Sequence, residues 1–96
     1  MKALIFSPTA FTDIDNIYGY TQEAWGYEQA ETYTFGLRDS CRTLATGART
    51  GRRIPGLKPG YLLLSYKSHW IIYRETDQQV IIARVLHQRM NISRHL

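Results

Sequence analysis

The side chains equipped for chemistry in this 96-residue chain gather in its second half. His87 is the acid–base candidate, because unperturbed histidine is the one side chain that titrates near neutral pH. Arg84, Arg74, Arg52, Arg53 and Lys67 supply cations. An imidazole with several fixed cations is a set that breaks phosphodiesters. One group takes a hydroxyl proton, another feeds the leaving oxygen, and the cations hold the phosphate charge. The spacing opposes that set. Arg84 and His87 differ by an odd number of positions, so a regular strand points them to opposite faces. They converge only if the strand ends or bulges near Leu86. The competing reading of His87 is a hydrogen-bonded anchor between a strand end and the tail. His69, beside a tight turn, reads as structural, and His95 as a mobile tail residue.

Other constellations carry less. Asp13 and Asp15 do not face each other on a helix and read as partners of its positive N-terminal end. No metal-ligand spacing occurs, and no cofactor is implied. Gly56-x-x-x-Gly60 lacks the Gly-Lys-Ser/Thr ending of a phosphate loop and reads as a turn. Cys41 is the single cysteine, which excludes an internal disulfide and a four-cysteine zinc site. Tyr61 and Tyr66 occupy strand positions from which bases can be stacked, although core packing accounts for them better.

The elements that position these residues follow from periodicity. Ala3–Phe6 is a short apolar run and reads as a buried strand. Ser7-Pro8 starts a helix, since serine caps free amides and proline fits the first helical position. Phe11, Ile14, Ile17, Tyr18 and Thr21 form its stripe, and Gly26 breaks it after Trp25. A second helix runs from Tyr27 to Gly47 on the stripe Tyr27, Ala30, Tyr33, Leu37, Cys41 and Leu44. The short connection makes the two an antiparallel hairpin. Residues 46–60 are loop, with a short edge strand near Arg52–Ile54. Tyr61–Lys67, His69–Glu75 and Gln79–His87 are rich in Ile, Val, Tyr and Trp and form an antiparallel meander. Asn91 or Ser93 caps one helical turn in the tail. The expectation is a single α+β domain over residues 1–96, a strand, a helical hairpin and a meander in two layers. The helices cover one sheet face, and the other face stays open.

On the last strand Val80, Ile82, Arg84 and Leu86 share one face by simple alternation. Trp70, Ile72 and Arg74 share a face on the strand before it. Arg74 and Arg84 therefore sit among apolar neighbours, where an unpaired charge is costly. The face that carries them is therefore either solvated or covered by something that supplies acids, which points to a partner on the open face.

Charge divides along the chain. Residues 1–39 hold six acids and two bases, while residues 40–96 hold ten bases and two acids. The second part attracts anions, nucleic acid or an acidic protein, or serves only as a solvated surface. No apolar run reaches the roughly 18–20 residues of a membrane helix, and the start is too short for a signal-peptide core. The expectation is a cytoplasmic protein with no membrane partner.

Taken in order, the motifs resemble the ParE-like toxins of the ParE/RelE superfamily of bacterial toxin–antitoxin operons. Asp13 and Ile17 with Tyr20-Thr21 match the first helix of that family. Trp25-Gly26, Gln29-Ala30, Tyr33 and Leu37 match its hairpin. Leu57-Lys58-Pro59-Gly60 matches the turn before the meander, and Ser68-His69, Ile71 and Tyr73-Arg74 match a His-x-Ile-x-Tyr-Arg strand. Arg84-Val85-Leu86-His87 with Arg89-Met90-Asn91 matches the closing motif, where the family often has aspartate at the position of Asn91. Arg94-His95-Leu96 matches a common ending. The resemblance implies a two-layer RelE/ParE-like fold and a toxin that blocks DNA gyrase without catalysis. It implies a ParD-like antitoxin with an acidic C-terminal segment, docking as a helix in a groove or as an added strand. Arg52, Arg53, Lys58, Arg74 and Arg84 would face that antitoxin. Trp25, Arg89, Met90 and Arg94 would face the target. Two alternatives remain open. RelE-like relatives cleave messenger RNA on the ribosome, which would use Arg84, His87 and Arg74 and bring direct nucleic-acid contact. A non-toxic, antitoxin-binding co-repressor is the other.

Overall fold

The computed structural model describes all residues, 1–96. Ser7 starts the first helix as expected, its hydroxyl accepting the Ala10 N–H at 3.0 Å. With Pro8 in the first turn, helix α1 spans Pro8–Trp25. Gly26, at φ 95°, turns the chain directly into α2, Tyr27–Thr46, which Gly47 ends in the left-handed conformation. No helix is long and apolar enough to cross a membrane. The strands are β1 (Ala3–Phe6), β2 (Leu62–Tyr66), β3 (His69–Glu75) and β4 (Gln79–His87). Their order in the sheet is β1-β4-β3-β2. The meander is antiparallel, and β1 joins its last strand in parallel. The fold is α+β, with the hairpin packed on one face of a mixed sheet. The expected edge strand near Arg52–Ile54 is reduced to a single bridge between Arg52 and Leu63.

The helix-side core holds Ala10 and Ile14 of α1 with Leu37, Cys41, Leu44 and Ala45 of α2. They meet Leu64, Ile71, Tyr73, Val80, Ile82 and Val85 of the sheet. Burial pushes the Cys41 thiol up to about 12, so it is an inert apolar group at neutral pH. Two stripe assignments fail. Phe11 and Tyr27 are more than half exposed. Phe11 rests instead on the edge-strand ring of Phe6, at 5.5 Å between centroids. Tyr27 begins its helix at the hairpin tip.

Alternation along β4 also breaks. Ile72 pairs with Arg84 but Tyr73 pairs with Ile82, leaving Ala83 as a bulge. The extra residue reverses the faces beyond it. Val85 therefore joins Val80 and Ile82 on the helix side, and Arg84 moves to the opposite side, not the shared face expected from simple alternation. The bulge lies where β1 ends. Ser7 bonds both sides of it, its N–H reaching the Ile82 carbonyl and its hydroxyl the Ala83 carbonyl.

The second sheet face is not open. Leu63, Ile72 and Leu86 are buried there, beneath Ile54, Leu57 and Tyr61 of the loop and Ile92 and Leu96 of the tail. The loop is seated by close backbone approach at Gly51. Its N–H donates to Tyr73 Oη at 2.7 Å. A Cβ at Gly51 would lie 2.6 Å from that oxygen and 2.8 Å from the Leu63 carbonyl. Tyr73 is fully buried and the carbonyl is backbone, so neither yields cheaply. Gly51→Ala is expected to cost about 1–3 kcal/mol in denaturant unfolding. An unchanged midpoint would show that the loop is not held this way.

Candidate functional site

The site is built around the stretch of β4 that β1 leaves uncovered. Pairing with β1 stops at Ile82, so residues 83–87 present a bare strand edge. Asp13 fills part of it. One turn after the start of α1, its Oδ2 accepts the Val85 N–H at 2.9 Å. The same carboxylate grips Arg84 in a bidentate pair, Nε to Oδ2 at 2.8 Å and Nη2 to Oδ1 at 2.9 Å. Arg84 Nη1 donates onward to the His95 carbonyl at 3.0 Å. Hydrogen bonding to Asp13 raises the guanidinium pKa further above its ordinary value, so this charge is permanent. Both groups are largely shielded, with side-chain exposures of 20% and 11%.

Three expectations change here. Asp13 is not a dipole partner of its helix, because it lies past the first turn and is spent on β4. Arg84 needs no acid from a partner, so it leaves the antitoxin-facing set. His95 is tied down through its carbonyl. The signal for Asp13 was present in the sequence. It falls three residues after Ala10 and four before Ile17, on the side of α1 that carries the apolar stripe, where a carboxylate requires a partner.

Beside this pair runs a groove of about 320 Å³ lined by Asn16, Ile17, Tyr20, His69, His87 and Met90, with Asp13 at one end. Its polar floor is a histidine pair. The His69 and His87 rings meet edge to face at 5.3 Å. Burial first, and the His87 charge second, push His69 down to about 4. Its Nδ1 lies 2.7 Å from Tyr33 Oη, a phenol whose pKa burial raises. His87 Nδ1 accepts the Arg89 N–H at 3.1 Å, and its carbonyl accepts the Met90 N–H at 2.9 Å. These bonds make His87 the anchor between strand and tail.

The structure therefore parts Arg84 and Arg74 from His87, while Lys67 stays on the histidine side, its Nζ over the Tyr33 and Tyr66 rings at 5.7 and 5.6 Å. His87 faces the helices, while Arg84 and Arg74 lie on the opposite side of the sheet. The bulge that would have joined them comes before Arg84, not near Leu86. Arg74 stands over the Tyr61 ring at 5.7 Å. Arg52, Arg53 and Lys58 are exposed on the loop. Trp25 is 73% exposed at the hairpin tip and Met90 40% at the groove. Arg89 and Arg94 are exposed in the tail. Asn91 caps the tail's turn, Ile92–Arg94, its Oδ1 accepting the Ser93 N–H at 3.1 Å. An amide thus does there what an aspartate would, without the charge. Sequence reasoning missed Asn16 and Tyr20 as groove residues. Tyr20 lies three positions from Ile17, a same-face spacing that was available to find it.

The family described as "ParE toxin of type II toxin-antitoxin system, parDE" matches residues 4–92. Toxin ParE1 of Mycobacterium tuberculosis H37Rv is 39% identical over 93 residues, covering 96% of this chain and 95% of that protein. The chain belongs to the ParE toxin family. Toxin ParE1 of Caulobacter vibrioides is 36% identical over 96 residues, covering 100% of this chain and 99% of the relative. The fold has a solved counterpart in a chromosomal ParDE TA system from P. aeruginosa, with TM-score 0.79 at 21% identity, covering 91% of this chain and 96% of that one. In this ParE-family toxin the Asp13–Arg84 pair and the histidine floor together define the end of the sheet.

Two measurements check the geometry. Asp13→Asn removes the charge while keeping an oxygen for Val85. It should lower stability by about 2–3 kcal/mol and Tm by roughly 10–20 °C for a domain of this size. A change below about 0.5 kcal/mol would mean that the pair is ornamental. His69 titrates near 6.5 when unfolded and about 4 when folded. Its contribution is therefore intact above about pH 6.5 and is lost as pH falls toward 4, because the unfolded chain takes up the proton first. His69→Gln should flatten the fall of Tm across that window, whereas an identical fall in both proteins would contradict it.

Proposed function

We propose that this toxin inhibits DNA gyrase by occupying it, without covalent chemistry of its own. A ParD-like antitoxin with an acidic, amphipathic C-terminal segment would neutralise it. The observation that carries this reading is the division of the would-be catalytic set. A nuclease would need its imidazole and its guanidinium on one phosphate. Here Arg84 is consumed by Asp13 and the His95 carbonyl, and His87 is turned to the other face. Membership of the ParE family supplies the expected target.

Exposed anchors suit an inhibitor that works by contact. Trp25 projects from a rigid tip formed by two abutting helices, and large exposed aromatics are common interface hot spots. Met90 borders the groove, with Arg89 and Arg94 beside it in the tail. These four are the residues proposed to meet gyrase. The groove along Ile17, Tyr20 and His87 offers the apolar side of an amphipathic antitoxin segment a place to bury. The chain's positive second part attracts the acidic side.

Purified, antitoxin-free toxin should inhibit supercoiling by gyrase and stabilise cleaved DNA. His87→Gln should retain that activity. Trp25→Ala should raise the toxin concentration needed for half-inhibition by roughly tenfold. Indifference of gyrase to folded toxin would overturn the reading. Transcript cutting that disappears in His87→Gln would replace it with the ribonuclease alternative, and induction without any growth defect with the co-repressor.

A further inference from the structure

Beyond the groove and the hairpin tip lies one further surface, the sheet face under the loop and tail, which shares only Arg94 with the proposed gyrase contacts. We propose that this face docks duplex DNA through its phosphates, held by Arg52, Lys58, Arg74 and Arg94. The inference goes beyond the gyrase reading and does not depend on it.

Sign is the first argument. Residues 40–74 and 78–96 contain no acid at all. The chain's salt bridges are Lys2–Glu75, Arg42–Asp39 and Arg84–Asp13, so none involves these four cations. The acids lie on the helices and around the β3–β4 turn. The loop-and-tail face therefore carries a field of one sign, the footprint of a polyanion partner.

Placement is the second. Arg52 and Leu63 are bridge partners, bonded both ways at 3.0 and 2.9 Å, and bridge partners project to the same side. Leu63 faces the loop-and-tail cluster, so Arg52 projects there too. Arg74 alternates with the buried Ile72 on that side and is propped on Tyr61. Arg52 lies two strands across from Ile72 and Arg74 two residues further along β3, a separation of about 12 Å, so the two reach different phosphates. Arg94 belongs to the short turn capped by Asn91. Arg84 secures the tail beyond it.

The third argument separates DNA from an acidic peptide. A peptide partner gains its affinity from apolar anchors sunk in pockets. The apolar residues of this face are already covered, with Leu63, Ile72 and Leu86 at 0–2% exposure. Of the exposed large apolar side chains, Phe11, Tyr20, Trp25, Tyr27 and Phe35 belong to the helices, Met1 and Ile5 to the β1 end, and Met90 alone to the tail. What remains here is exposed cations around a shallow cleft walled by the half-buried Ile54, Leu57, Trp70 and Ile92. Phosphates need no more than that. If gyrase is the target, this face gives the toxin a second foothold on the DNA that gyrase holds.

Fluorescence anisotropy with a labelled duplex and the full chain tests the proposal. At about 0.1 M salt the wild type should bind without sequence preference. The logarithm of its affinity should fall against the logarithm of salt with a slope of about −3 to −4. Arg52→Ala/Arg74→Ala should weaken binding roughly tenfold or more and reduce the slope by about two. Arg38→Ala/Arg42→Ala removes the same charge from α2 and should change little. Arg52→Lys/Arg74→Lys keeps the charge and should retain most of the binding, which guards against a folding defect. Equal losses in the two alanine doubles, or no duplex binding by folded wild type, would overturn the proposal. So would a polyglutamate peptide that binds through Arg52 and Arg74 while the duplex does not, which would return these residues to the antitoxin.

Discussion

A carboxylate at the end of an unfinished strand pairing governs this structure. β1 is shorter than β4, so β4 is left with an edge that water or another chain would otherwise bond. Asp13 closes that edge with one oxygen on the Val85 amide and both oxygens on Arg84. Through Arg84 the same group reaches the tail. Helix, sheet and tail are thereby joined at one point. An ion pair in such a place contributes little by its charges alone, since desolvation offsets much of the attraction. Its value lies in direction. The bidentate geometry fixes where Arg84 points and, with it, where the last nine residues run. The blocked edge also leaves less backbone open to an added strand.

The functional reading depends on that arrangement. A guanidinium committed to a carboxylate and a carbonyl is a poor clamp for a passing phosphate. An imidazole packed on a second imidazole and bonded to the following backbone is held as a strut. Arg84 and His87 are thus both engaged inside the protein. The surface is left with two materials. Aromatic and aliphatic side chains project from the helices and line the groove, and unpaired cations spread over the loop and tail. Protein partners fit the first and polyanions fit the second.

Much of the fold was legible in the sequence, because its signals are local. Ser7-Pro8, Gly26 and Gly47 mark the helix boundaries to the residue. The β3 and β4 runs end where their turn residues begin. The stripes failed at Phe11 and Tyr27, which keep the amphipathic spacing yet stay more than half exposed. The parallel pairing of β1 and the covering of the second face depend on contacts between distant segments, which periodicity does not report. Asn91 was legible as a cap.

The site was less legible, and one residue accounts for most of that. The Ala83 bulge reverses the face of everything after it, so alternation placed Arg84 with Val80 and Ile82. Its true partner, Asp13, lies on another element, where its position near a helix start suggests only a dipole role. A double-mutant cycle on Asp13→Asn and Arg84→Gln, followed by denaturant unfolding, measures the link directly. Coupling of about 2 kcal/mol is the result expected of a shared, directional pair. Additivity within about 0.5 kcal/mol would mean that the two residues act independently and that Arg84 is free to serve a partner.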